Sequence, residues 1–260
     1  MGAAGRPGAI LASVARGRYD AGRMTNPDAI DAHGLCRRYG RRWALVDVSF
    51  RVAAGTSVMV AGRNGSGKST LLCIVATAIR ADRGTARVLG HDIRAERETV
   101  RRRTALLSHA SYLYESLTAL ENLAIAARFL GREAHRSALL PLLAEVELAE
   151  RADDTVSTFS AGMRKRLALA RTLLQEGGLV LLDEPYGDLD PPGFRLVDRL
   201  FGTLRARGSA VLMATHLLER GAALCDEGIV LDGGRLRWQG PARDLPSLGG
   251  LDPATLPEGR

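Results

Sequence analysis

Gly62-Arg63-Asn64-Gly65-Ser66-Gly67-Lys68-Ser69 fits the pattern G-x-x-x-x-G-K-S, and the chemistry open to these residues is the binding of a polyphosphate. Glycines let backbone N–H groups curl around phosphate oxygens, and a helix beginning at Lys68 adds the partial positive charge of its N-terminus. Lys68 then reaches the β- and γ-phosphates, Ser69 ligates Mg²⁺, and Thr70 belongs to the same phosphate-binding run. Only two of the 36 basic residues are lysine, Lys68 and Lys165, which argues against a chance lysine here. Farther along, the apolar run Leu179–Leu182 ends in Asp183-Glu184-Pro185. Two carboxylates at a strand end supply a metal ligand, Asp183, and a base for an attacking water, Glu184.

These groups need elements to hold them. Ser57–Ala61 reads as a buried strand that feeds the glycine loop, followed by a helix from Lys68 to about Arg80. Thr118 and Glu121 form an S/T-x-x-E capping box, with Leu120, Leu123, Ala124 and Ala127 behind it at helical spacing and Gly131 as the stop. Ser160 reads as the N-cap of an apolar helix reaching Leu174, and Asp190 as an N-cap with Pro191 in the first helical position and Gly208 as the close. Leu179–Leu182 and Ser209–Ala214 are two further buried strands. Ile229–Leu231 and Arg235–Trp238 flank Asp232-Gly233-Gly234, a hairpin signal. Strands alternating with helices, and a helical block between two strand-bearing halves, predict an α/β fold.

At 260 residues and 27.8 kDa, with 46% hydrophobic and 25% charged residues, the chain suits one globular domain with room for an inserted subdomain. No apolar run approaches the roughly 18–20 residues of a spanning helix. Cys36, Cys73 and Cys225 are single and far apart, which gives neither a disulfide framework nor a CxxC pair and fits a reducing compartment. The net charge of +7 is carried almost wholly by arginine. No zinc-finger, helix-turn-helix or RNA-binding pattern accompanies it, so no nucleic-acid partner is expected, and Arg101-Arg102-Arg103 reads as a solvated face. Residues 1–26 read as a loose N-terminal extension and 241–260 as an irregular C-terminal tail, leaving 27–240 as the domain.

Phe159-Ser160-Ala161-Gly162-Met163-Arg164-Lys165-Arg166 resembles the LSGGQ-type signature of ATP-binding cassette (ABC) proteins. The resemblance covers roughly residues 30–240 and implies a P-loop NTPase fold of the ABC type, with an inserted helical subdomain at about 108–175 and an antiparallel β portion. It further implies that Tyr39 stacks on adenine, that Asp190 is the aspartate of the loop after the Asp-Glu pair, and that His216 contacts the γ-phosphate. Lys68, Glu184 and His216 are then the catalytic set, with ATP and Mg²⁺ as cofactors. The nucleotide would lie on Tyr39, Gly62–Thr70 and Asp190 and against Ser160 and Gly162 of a second, head-to-tail copy. His109 stands where the family has a Mg²⁺-sensing glutamine, and imidazole is a poor ligand for that hard ion. The segment from His109 through Leu113-Tyr114 to Leu117–Leu123 is similar to the ATP-binding subunit of the haem exporter of cytochrome c maturation. The implied function is an ATPase of an ABC exporter that powers integral membrane permease subunits from the cytoplasmic face of the cell inner membrane. The alternatives are a drug or polysaccharide exporter and a soluble ABC ATPase outside transport. A small-molecule P-loop kinase would leave Ser160–Arg166 and His216 without a role.

Overall fold

The computed structural model describes residues 28–245; the expected extension 1–26 and most of the expected tail lie outside the described residues. The fold begins with a long hairpin, β1 (Asp28–Tyr39) and β2 (Arg42–Ala53), closed across Gly40-Arg41 by the Tyr39–Arg42 pair. One face of this hairpin buries Ile30, Ala32, Leu35, Leu45, Val48 and Val52. β3 (Ser57–Ala61) follows, buried at all five positions, and runs into the glycine loop and α1 (Lys68–Val75). α1 stops five residues short of the expected Arg80. Thr77 takes φ 57, and the Thr77 and Ala78 amides fold back onto the Ile74 and Cys73 carbonyls, a left-handed closure that no glycine or proline advertises.

β4 (Arg83–Val88) and β5 (His91–Asp92) complete an antiparallel sheet of order β2-β1-β4-β5, the expected antiparallel portion. After α2 (Arg97–Arg103) and β6 (Thr104–Leu107) come three helices, α3 (Ala119–Phe129), α4 (Arg136–Glu145) and α5 (Ala161–Leu174). The Thr118–Glu121 capping box is present in full, and Leu123 and Ala127 are completely buried. Each leucine sequestered this way stabilises the fold by about 1.5–3 kcal/mol. β7 (Leu179–Asp183), α6 (Pro191–Ala206), β8 (Ala210–Ala214) and α7 (Leu218–Leu224) lead to the hairpin β9 (Glu227–Asp232) and β10 (Arg235–Pro241). As expected, Asp190 caps α6, accepting the Gly193 N–H at 2.9 Å.

The second sheet has the order β10-β9-β3-β8-β7-β6, parallel except at β10. β3, β7 and β8 are buried along their whole length, as parallel strands covered on both faces must be. The packed fold continues past residue 240: Ala242 and Leu245 are fully buried, and the Ala242 amide donates to the Asp226 carbonyl at 3.0 Å. The two sheets are latched beside the glycine loop. Gly234 donates its N–H to Ser66 O at 3.1 Å and accepts the Val46 N–H at 2.8 Å. A Cβ on Gly67 would lie 2.5 Å from Ala44 O, and one on Gly62 would lie 2.2 Å from Leu231 O, so these approaches require glycine.

Candidate functional site

Sheet register brings the reactive groups together. Val60 of β3 and Asp183 of β7 both pair with Ala214 of β8, and Leu107 of β6 pairs with Leu182. Gly62, Asp183-Glu184, Thr215-His216 and Ser108-His109 therefore leave the parallel sheet at one level, at the carboxyl ends of its strands, where ligands bind in open α/β sheets. The loop turns through Gly62, Gly65 and Gly67, all at positive φ (148°, 78° and 108°). Lys68 is buried, and its Nζ donates to the carbonyls of Gly62 at 2.7 Å and Arg63 at 3.2 Å, so the ammonium is held over the mouth of the loop. Burial pulls its pKa below the ordinary lysine value, while Glu184 and Asp183 work the other way. Arg42 lies over the same loop, with Nη2 3.1 Å from where a Gly65 Cβ would stand. Ser66 Oγ is buried without a partner.

Asp183 is 3% exposed and its Oδ1 has no hydrogen-bond partner. Burial pushes its carboxyl above the ordinary value and the nearby Glu184 adds to this, whereas the Ser69 hydroxyl, Lys165 and His109 oppose it. An orphaned carboxylate oxygen next to a serine hydroxyl is a hard, oxygen-only donor set, the kind that suits Mg²⁺ with its remaining ligands drawn from phosphate and water. The residues present therefore fit the ion, and Ser69 and Asp183 are the side chains that would hold it. His109 lies near enough to act electrostatically on Asp183.

Glu184 adopts φ 46 and its N–H donates to Ala214 O at 2.8 Å, a left-handed backbone that turns its side chain away from the strand it follows; such strain clusters at functional sites. His216 Nδ1 lies 2.9 Å from Glu184 Oε2. Tyr39 ends β1, half exposed, with the Arg37 guanidinium 4.9 Å from its ring centroid.

Ser160 and Gly162 gather elsewhere. The Ser160 hydroxyl oxygen caps α5 by accepting the Met163 N–H at 3.2 Å, leaving its proton free to donate. A Cβ on Gly162 would stand 3.0 Å from Asp188 O, so the start of α5 touches the loop that carries Asp188 and Asp190. Among the described residues no hydrogen bond or ion pair joins Ser160 or Gly162 to the Gly62–Thr70 loop. One chain thus carries two separate groups of candidate residues, the phosphate loop with Asp183 and the helix N-terminus with its neighbouring loop. Residue types and spacing do not reveal Lys165, whose buried ammonium is acted on by Asp183, Asp188 and Glu184, or Arg42.

The family model described as ABC transporter matches residues 45–187. Daunorubicin resistance ATP-binding protein DrrA3 of Streptomyces coeruleorubidus is 38% identical over 226 residues, covering 86% of this chain and 72% of that protein. Nod factor export ATP-binding protein I of Mesorhizobium japonicum is 35% identical over 209 residues, 80% of this chain and 62% of that protein. Among solved structures, a dimeric bacterial ABC transporter cassette superposes with a TM-score of 0.76 at 26% identity, covering 82% of this chain and 99% of that one.

Proposed function

The chain belongs to the ABC transporter family of ATP-binding proteins, and we propose that it binds and hydrolyses ATP to power an exporter through separate membrane subunits. The observation that supports this reading is the convergence of Lys68, Asp183, Glu184 and His216 around the carboxyl ends of adjacent strands.

In this reading the Gly62–Thr70 backbone cradles the phosphates, and Lys68 exchanges its two carbonyl bonds for β- and γ-phosphate oxygens. Tyr39 stacks on the adenine. Ser69 and Asp183 hold Mg²⁺, which when bound neutralises phosphate charge. Glu184 takes the proton of the attacking water, and His216, already 2.9 Å from it, holds that carboxylate in place and faces the γ-phosphate. Asp190 lies on the loop that meets the second copy.

Because no hydrogen bond or ion pair among the described residues ties Ser160 or Gly162 to the phosphate loop of their own chain, they serve the nucleotide of a second copy in a head-to-tail dimer, where the N-terminus of α5 faces the γ-phosphate. Among the described residues no helix is long and apolar enough to cross a membrane. The protein docks on integral membrane permeases at the cytoplasmic face of the inner membrane. Residues 27–240, extended to Leu245, form the domain and 108–175 its helical subdomain. Drug or polysaccharide export is placed ahead of haem export, because the relatives named above act in drug resistance and Nod factor export; the haem reading rests on the His109–Leu123 segment alone.

Mixing Lys68→Ala protein with Ser160→Arg protein tests the dimer. Each is expected to be inactive alone, and the mixture to regain part of the activity, since half of the mixed dimers' sites are intact. No recovery at any ratio, or full activity of a strictly monomeric sample, refutes it.

A further inference from the structure

Glu147 stands where glycine is the favoured residue. α4 ends at Glu145 with Val146 as its C-cap, and Glu147 follows at φ 60. Its N–H donates to Ala144 O at 3.0 Å, and the next amide, Leu148, donates to Leu143 O at 2.7 Å. This pair of bonds is the Schellman closure, whose left-handed position is usually glycine because a Cβ is disfavoured there. The local backbone does not account for a glutamate; its side chain does.

The carboxylate is engaged at both oxygens. Oε2 accepts from Arg166 Nη1, and Oε1 accepts from Arg199 Nη2 at 3.1 Å. The hydrogen bond from Arg166 is the main reason that the Glu147 carboxyl sits below its ordinary range. The other terminal nitrogen of Arg166 lies 3.5 Å from Asp190 Oδ1, the same oxygen that caps α6. A continuous run of charge therefore joins the end of α4, the helix α5 that Ser160 caps, the loop after β7 and helix α6. The Arg166 side chain is only 14% exposed, so the guanidinium is held in one place between its two more exposed carboxylate partners.

We infer that Glu147 is a positioning residue for the ATPase reaction. Through Arg166 it fixes the N-terminus of α5 against the Asp188–Asp190 loop, so that the two parts of the chain facing a second copy's nucleotide move as one body. The inference rests on the head-to-tail reading above.

Glu147→Gly separates this role from plain stability, because it relieves the left-handed strain while deleting the carboxylate. The full-length variant is expected to melt within about 2 °C of its parent, the two effects offsetting each other. Binding of a fluorescent ATP analogue to the monomer should stay within about twofold. ATP-driven dimerisation, measured by gel filtration in the Glu184→Gln background, should weaken about fivefold or more, as a loss of roughly 1 kcal/mol implies. In the Glu184 protein kcat should fall by a similar factor with KM unchanged. Glu147→Gln, which keeps the shape, is the second variant if the glycine form does not fold, and Glu147→Asp should recover part of the loss. Parent-like dimerisation and kcat in both the Gly and Gln variants overturn the inference. If the Glu184→Gln parent itself fails to dimerise with ATP while the native chain hydrolyses as a monomer, the head-to-tail reading falls and takes the inference with it. Those two failures differ in whether the parent dimer exists.

Discussion

Replacing Asp183 with asparagine is expected to stabilise the nucleotide-free protein and to destroy its response to Mg²⁺-ATP. The side chain is nearly isosteric, so packing around β7 is unchanged and the perturbation is electrostatic. In the native protein Oδ1 is buried and unpaired, and the burial that raises the Asp183 pKa outweighs the help from Ser69, Lys165 and His109. A raised carboxyl pKa means that folding penalises the ionised form more than the neutral one, so removing the charge helps the fold. Asparagine still leaves a polar atom at the unpaired position, so the gain comes from removing the buried charge alone, and part of it is returned because Lys68 and Lys165 lose an opposite charge. A net gain on the order of 1 kcal/mol raises the melting temperature of a domain this size by about 2–4 °C. Differential scanning calorimetry in EDTA without nucleotide reads that shift. Adding Mg²⁺ and ATP at about 100 times the dissociation constant should stabilise the native protein by about 2.7 kcal/mol, whereas the variant, lacking its carboxylate ligand, gains far less, so the order of the two melting temperatures reverses. A variant that melts below the native protein in EDTA, or that gains as much from Mg²⁺-ATP, refutes the argument.

Glu184→Gln keeps the carbonyl oxygen and the fold but cannot take a proton; it should bind ATP normally in a filter assay and lose at least about 100-fold in turnover. Asp226 accepts the Ser57 N–H at 2.9 Å, the Ser57 hydroxyl at 2.6 Å and Arg205 at 2.6 Å. Burial opposes its ionisation, but the Ser57 bonds and Arg205 prevail and hold its pKa below the ordinary value. A lowered folded pKa gives stability that is present above the unfolded pKa near 3.9 and is lost as pH falls through the folded value. Asp226→Asn should therefore lose about 1 kcal/mol at pH 7 and show a flatter acid-unfolding curve below about pH 4, followed by circular dichroism.

Where a segment's structure is decided by its own residues, the sequence shows it. The glycine loop, the apolar strands Ser57–Ala61 and Leu179–Leu182, the Thr118–Glu121 box and the Asp190 cap all follow from patterns that span fewer than a dozen residues. The paired strands of the long hairpin are not visible in this way, because register shifts at Ala32/Leu35 and Leu35/Arg37 break their alternation. α1 ends at a Thr in left-handed geometry, a position where the residue type gives no warning. The candidates Lys68, Asp183 and Glu184 were legible from residue type and spacing, and the candidates Tyr39, Asp190 and His216 through the resemblance carried by the signature at Ser160. Arg42, Lys165 and Glu147 were not, since each acts on residues far away in the chain.

The Gly234 latch sets an order of events during synthesis. The phosphate loop occupies residues 62–70, yet Ser66 O is held by an amide near the C-terminal end of the described fold, and among the described residues β3, the strand that launches the loop, pairs only with β8 and β9. A chain still emerging from the ribosome has the loop's residues in hand long before it has either neighbour of the strand. The loop cannot take its final shape until residue 234 has cleared the exit tunnel. Competence to hold a nucleotide therefore arrives only after β8, β9 and Gly234 have been made, and a chain truncated before β8 carries the motif without the site.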